Sequence, residues 1–128
     1  MSWDCARTSC TAYWTTTSWV TSPLGSIYPA KPGGAVASVS RSSSSIDVLF
    51  VGTNGGIYDY AWRGQTAGWT MSLASQTGIA SAGANLGLTA RTPNNLDVFV
   101  RNSSGQTWTG WKYTGYPWGF GVIEQSTP

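Results

Sequence analysis

Ile46-Asp47-Val48-Leu49-Phe50-Val51, then Gly52-Thr53-Asn54-Gly55-Gly56, then Ile57-Tyr58-Asp59-Tyr60-Ala61-Trp62 is the stretch on which the chain turns. β-branched and aromatic residues run into a glycine-rich reversal and out into a second such run, which reads as strand, tight turn, strand. Fifty residues on the pattern returns as Leu96-Asp97-Val98-Phe99-Val100-Arg101, Asn102-Ser103-Ser104-Gly105-Gln106 and Thr107-Trp108-Thr109-Gly110-Trp111. A repeat of this period decides architecture before any single residue does, because each copy is one supersecondary unit that needs a neighbour to cover its apolar face.

At the offset of 50, Gly33 meets Gly83, Val36 meets Leu86, Arg41 meets Arg91, and Asp47 meets Asp97. Gly55 meets Gly105 and Tyr58 meets Trp108; with one deletion, Trp62 then meets Trp111 and Trp69 meets Trp118. Read backwards, the same ruler finds a degenerate third copy. Trp19 falls fifty residues before Trp69, and with a two-residue slip Cys10-Thr11-Ala12-Tyr13-Trp14 takes the place of Tyr58 to Trp62. Ser2 to Arg7 is then the strand before that turn. The unit comprises a short strand near Val36 to Arg41, the hairpin, and a last strand that starts at a Trp: four short antiparallel strands in about 50 residues, the size of one propeller blade.

The expectation is therefore an all-β fold of β-propeller blades, about two and a half repeats in one domain of 1–128: a partial repeat over 2–30, one repeat over 31–80 and another over 81–124. Since a propeller needs at least about four blades to close, the ring is completed only by oligomerisation or in a longer parent chain. The open ends would be sticky sheet edges, so a homo-oligomer is expected and an isolated monomer should self-associate.

Composition bounds the function. The chain has 128 residues, 41% apolar but only 9% charged, too few charges for helix surfaces and well suited to strands and turns. Eight Trp and six Tyr exceed what a core of this size needs. The net charge of +2 comes from seven scattered basic residues, which argues against nucleic acid as a partner. No apolar run approaches the roughly 20 residues of a membrane span, so no membrane insertion is expected. Met1 leads into Ser2-Trp3-Asp4-Cys5 without a basic and apolar leader, so no signal peptide is read; a secreted or extracellular protein is expected, with a cytoplasmic one left open.

The segments from Ile46 to Tyr58 and from Leu96 to Arg101 resemble the tandem-repeat β-propellers of bacteria and fungi, among them the fucose-binding and Photorhabdus-type lectins, whose repeat reads approximately D-V-F-V-R-G-T-D-G-x-L-Y/W-x-x-W-W. The likeness runs from Gly33 to Trp118 and more weakly over Ser2 to Trp19. Where that family has two adjacent Trp, this chain keeps only Trp62 beside Ala61, and Trp111 beside Lys112. The resemblance implies a carbohydrate-binding, lectin-like function, with glycans (fucose-like or other monosaccharides) as partners. Ser103-Ser104-Gly105-Gln106-Thr107-Trp108 is also similar to a sialidase Asp-box, with Ser103 where the Asp belongs, and that box is a structural turn.

The chemistry-bearing residues are few. With no His, the usual general base and commonest metal ligand are missing, and neither an enzyme nor a metal or other cofactor is expected. The acidic residues stand apart in sequence, whereas glycosidase chemistry needs a carboxylate pair. Asp47 and Asp97, at matched positions, read as structural acceptors of backbone or hydroxyl hydrogen bonds. Cys5 and Cys10 flank a loop of hairpin length and would face each other across two strands; a disulfide and two free thiols both remain open.

An aromatic face laid on a sugar's C–H surface, with polar groups for its hydroxyls, is the physical basis of a sugar site. Trp62, Trp111, Tyr60, Trp69 and Trp118 are the candidate platforms, and Arg41 and Arg91, with Asn54, Asn94 and Asn95, the candidate polar partners. For Tyr58 and Trp108 packing between blades is the favoured role. Two functions follow: a non-catalytic lectin-like propeller module with shallow sugar sites between blades, or a structural or protein-interaction propeller fragment, such as one appended to a secreted hydrolase, with no sugar binding.

Overall fold

The computed structural model describes residues 10–23 and 30–123. Among these described residues, ten strands form three antiparallel sheets. β1 (Cys10–Trp14) and β2 (Trp19–Pro23) make a two-stranded ribbon. β3 (Val36–Ser42), β4 (Ser45–Val51), β5 (Ile57–Trp62) and β6 (Trp69–Leu73) form a central sheet in the order β3-β4-β5-β6. β7 (Leu86–Thr89), β8 (Asn95–Arg101), β9 (Thr107–Tyr113) and β10 (Gly119–Val122) repeat that order in a C-terminal sheet. There is no helix among the described residues. The sheets are open, a meander of blade-like units, as expected of part of a propeller. The strand expected over Ser2 to Arg7 lies outside the described residues.

The hairpin turns are built alike. Gly52 N–H donates to the Gly56 carbonyl (2.8 Å) and Gly55 N–H to that of Gly52 (2.9 Å), as Asn102 does to Gln106 (2.9 Å) and Gly105 to Asn102 (3.0 Å). The exits match too: Ala74 N–H donates to the Ile57 carbonyl, and Ile123 N–H to that of Thr107.

Strand alternation gives each sheet two faces. In the central sheet, Leu49, Val51 and Ile57 point one way, towards the C-terminal sheet, and are fully buried. Val98 and Val100 come to meet them from the other side, with Leu86, Leu88, Trp108, Trp118 and Phe120 packed around. The linker supplies Ala74, Ile79 and Ala80 to the same core. The opposite face of the central sheet, towards the ribbon, is aromatic: Phe50 stacks on Tyr58 and Tyr60 at 5.5 Å between ring centroids. The two linkers touch backbone to backbone, for a Cβ on Gly34 would lie 2.8 Å from Gly83 Cα, and Ala35 N–H donates to the Gly83 carbonyl. Glycine is required there because no side chain fits between the chains.

The register corrects one sequence match. Trp62 stands opposite Ile46, and its counterpart opposite Leu96 is Lys112. Trp111 stands opposite Asp97, as Ala61 stands opposite Asp47. The deletion between the repeats therefore falls after β9, in the β9–β10 turn, and Trp62 and Trp111 point to opposite faces of their sheets, since a one-residue slip reverses every side chain. Sequence comparison had aligned Trp with Trp; the hydrogen-bond ladder aligns Trp62 with Lys112.

Candidate functional site: an aromatic cleft between ribbon and central sheet

A cleft of about 500 Å³ separates the ribbon from the aromatic face of the central sheet. Thr11 and Tyr13 of β1 form one wall, and Ile46, Trp62 and Trp69 the other, with Gln65 reaching in from the β5–β6 turn. Trp62 and Trp69 are cross-strand partners, both half-buried, so their rings are supported from behind and open in front. Tyr13 opposite them is 50% exposed. Below, Met71 and Trp69 pack on the Phe50, Tyr58 and Tyr60 cluster, which gives the platform a rigid base. An apolar slot with two indoles, a phenol, a Thr hydroxyl and a Gln amide suits a ligand that has a C–H face and hydroxyl edges.

The candidates read from sequence divide sharply. Trp62 and Trp69 line this cleft. Tyr60 is fully buried in the aromatic core, so it supports the platform from beneath and offers no surface of its own. Trp118 stacks on Phe120 at 5.8 Å and packs against the core between the two large sheets. Trp111 is exposed on the far side of the C-terminal sheet, away from Trp62. Tyr58 and Trp108 pack inside, as expected. Thr11 and Tyr13 were missed. The slipped third copy already contained them, and strand alternation would have set both on one face.

The two arginines have partners. Arg41, with its side chain 8% exposed, lies 3.3 Å from the fully buried carboxylate of Asp47, and Arg63 donates to the other oxygen at 2.8 Å. Arg91 donates to Asp97 at 2.8 Å through Nε and to the Tyr113 hydroxyl at 3.2 Å. The Asp97 hydrogen bond, then that of Tyr113, raises the Arg91 pKa above its usual value. Asp47 and Asp97 thus hold guanidinium groups, where backbone or hydroxyl donors had been expected; Asp97 also takes the Asn95 amide at 2.6 Å. Asn95 itself is buried and closes the turn before β8 by accepting from the N–H groups of Arg91 and Thr92, and Asn54 caps its turn at Gly56 N–H.

Folding also creates a carboxyl pair that the sequence keeps twelve residues apart. Asp59 is 6% exposed, and its pKa is pushed up to about 8, first by burial, then by the charge of Asp47 and a hydrogen bond with it, against the opposing pull of Arg63 and Arg41. Asp59 therefore keeps its proton at neutral pH. Both carboxyls are buried, and Asp47 is held by Arg41 and Arg63, so the pair forms an internal polar cluster. Cys10 is disulfide-bonded; Cys5, its expected partner, lies outside the described residues.

No protein-family model matches the chain, and no curated protein matches it. Among solved structures it is similar to the BP39L lectin from Burkholderia pseudomallei, with a TM-score of 0.66 and 26% identity, over 83% of this chain and 33% of that one. The chain spans about a third of that neighbour's length. The likeness supports a lectin-like fold.

Proposed function

We propose that the chain is a non-catalytic carbohydrate-binding module, part of a β-propeller, and that the cleft between ribbon and central sheet holds a monosaccharide unit of a glycan. The observation that carries this reading is the Trp62–Trp69 platform facing Tyr13 across a cleft large enough for a pyranose ring. Each ring face can take a sugar's C–H surface, while Thr11 and Gln65 bond its hydroxyls. The lectin neighbour and the excess of Trp support the reading. A single shallow site of this kind binds weakly, and useful affinity comes from several sites on one assembly engaging a multivalent glycan surface. Copies of the chain assembling into a ring would supply them, in a secreted or extracellular setting suited to the bonded Cys10.

A glycan array on the wild-type protein, with Trp62→Ala alongside, tests the proposal. Binding by wild type that Trp62→Ala abolishes, with the melting temperature nearly kept, is the expected result. No binding by the folded, assembled protein to any glycan would sink it and favour a structural or protein-interaction module.

A further inference from the structure

The central and C-terminal sheets part company at the end of one ladder. Between β8 and β9 the pairing runs on to Asn95–Tyr113. Between β4 and β5 it stops one rung earlier, at Ile46–Trp62. By register the next rung would join Ser45 to Arg63. The Arg63 N–H turns instead to the Gly68 carbonyl (3.4 Å), and Gly68 N–H closes the turn on the Gly64 carbonyl (2.8 Å). The side chain of Arg63 takes over the hold that the ladder relinquishes.

Its Nη1 donates to the carbonyls of Ile46 (3.2 Å) and Trp62 (3.0 Å), the two residues of that last rung, and its Nη2 donates to the buried Asp47 carboxylate (2.8 Å). Asp47 is itself braced by Arg41 at 3.3 Å. Ile46 and Trp62 line the cleft, and so does Gln65 on the β5–β6 turn, whereas Arg63 does not. One side chain outside the cleft is thus bonded to the backbone of two wall residues and stands at the root of the turn that carries a third. Strand ends fray first, and a planar fork of charged donors suits a fastening between them. At the matching place in the C-terminal sheet stands Tyr113, whose hydroxyl accepts from Arg91 at 3.2 Å, while Arg91 gives its other side-chain bonds to Asp97. That fork holds a carboxylate and a phenol instead of strand-end carbonyls.

We infer that Arg63 is a positioning residue for the cleft: without touching the ligand, it fixes the Ile46–Trp62 edge and the turn that carries Gln65 in one arrangement. The inference rests on the carbohydrate-binding reading above, in which Trp62 takes the sugar's C–H face and Gln65 a hydroxyl. One pyranose satisfies both only at a set spacing, because a hydrogen bond weakens steeply once its angle fails. The bonds of Arg63 hold that spacing from behind the wall. Lysine is no substitute, since its point charge answers the carboxylate but lacks the planar fork that also spans the two carbonyls.

Two readouts test this on wild type, Arg63→Lys, Arg63→Met and, as a matched control in the C-terminal sheet, Arg91→Met. The first needs no sugar: fluorine NMR of the protein labelled with fluorotryptophan, the Trp62 and Trp118 lines being identified from Trp62→Phe and Trp118→Phe. In both Arg63 variants the Trp62 line should shift or broaden while the Trp118 line stays, and Arg91→Met should leave the Trp62 line in place. The second is isothermal titration with methyl glycosides of the common monosaccharides. Both Arg63 variants should bind about fivefold to tenfold more weakly, Arg63→Lys with its melting temperature nearly kept. Combining Arg63→Met with Gln65→Ala should weaken binding by less than the product of the two single losses, because each disturbs the same spacing. A Trp62 line unmoved in both Arg63 variants, wild-type affinity in Arg63→Lys, or losses that multiply would overturn the inference while leaving the Trp62 site standing. If wild type binds none of the glycosides, the carbohydrate-binding reading falls, and the fluorine spectra by themselves decide whether Arg63 positions the cleft.

Discussion

Two inter-sheet spaces lie side by side in this molecule, and they differ in what the repeat put into equivalent positions. Between the central and C-terminal sheets, Leu49, Val51 and Ile57 meet Val98, Val100 and Trp108 in a packed apolar cluster. Between the ribbon and the central sheet, Thr11 and Tyr13 meet Ile46, Trp62 and Trp69 across a cleft. The strand geometry is the same; the side chains are not. Where one unit has Lys112 the other has Trp62, and where one has Asp59 the other has Thr11. A repeat of this kind can therefore close one interface by packing and leave the next open as a cleft, by substitution at two or three positions on facing strands.

The largest effect that would sharpen the contrast is in the closed interface. Leu49→Ala removes a fully buried side chain and should cost about 2–5 kcal/mol in urea unfolding. Tyr13→Ala in the open cleft should change stability by less than about 1 kcal/mol while weakening glycan binding. Equal destabilisation by the two would mean that the cleft is packing after all.

The polar cluster gives the second test. Because Asp59 holds its proton to about pH 8 but releases it near 4 when unfolded, the folded state binds the extra proton between those values. Its stability should be greatest below about pH 4 as far as this group is concerned, and fall as pH rises to about 8, by at most about 1.4 kcal/mol per pH unit for one proton. Asp59→Asn, which mimics the protonated form, should flatten that slope, as read from unfolding midpoints across the range. An unchanged slope would mean that Asp59 ionises normally.

Next comes the platform. Trp62→Ala should abolish glycan binding with a stability loss within about 1–2 kcal/mol, whereas Trp118→Ala, on the closed side, should destabilise by about 3–5 kcal/mol or somewhat less, given its partial exposure. The smallest effect is expected in the ribbon. Thr16 has a φ of +83°, a strained value for a β-branched residue, so Thr16→Gly should stabilise the ribbon turn by about 1 kcal/mol. Slower amide exchange in β1 and β2 would register it.

Much of the molecule was legible in its sequence. The hairpin at Ile46 to Trp62 and its copy at Leu96 to Trp111 carried both strands and turn, and the Arg41/Arg91 and Asp47/Asp97 matches recur as ion pairs. Part of the candidate site was legible as well: Trp62 and Trp69, named from their positions near a turn, line the cleft. Tyr60 was misjudged as a platform because, in a strand buried on both faces, alternation no longer tells core from cleft. Arg41 was misjudged because a lone charged residue in sequence gives no sign of the carboxylate waiting across the strand.

What the sequence determined by itself is the unit: its strands, its turns and its period of about 50 residues. These follow from local propensity and alternation, which act between residues close in the chain. Only the tertiary structure decided which tryptophans share a space, that Asp47 and Asp59 meet, and that Trp111 turns its back on Trp62. Those outcomes depend on the register of a ladder and on which face the next sheet covers, and a single-residue shift in either exchanges inside for outside.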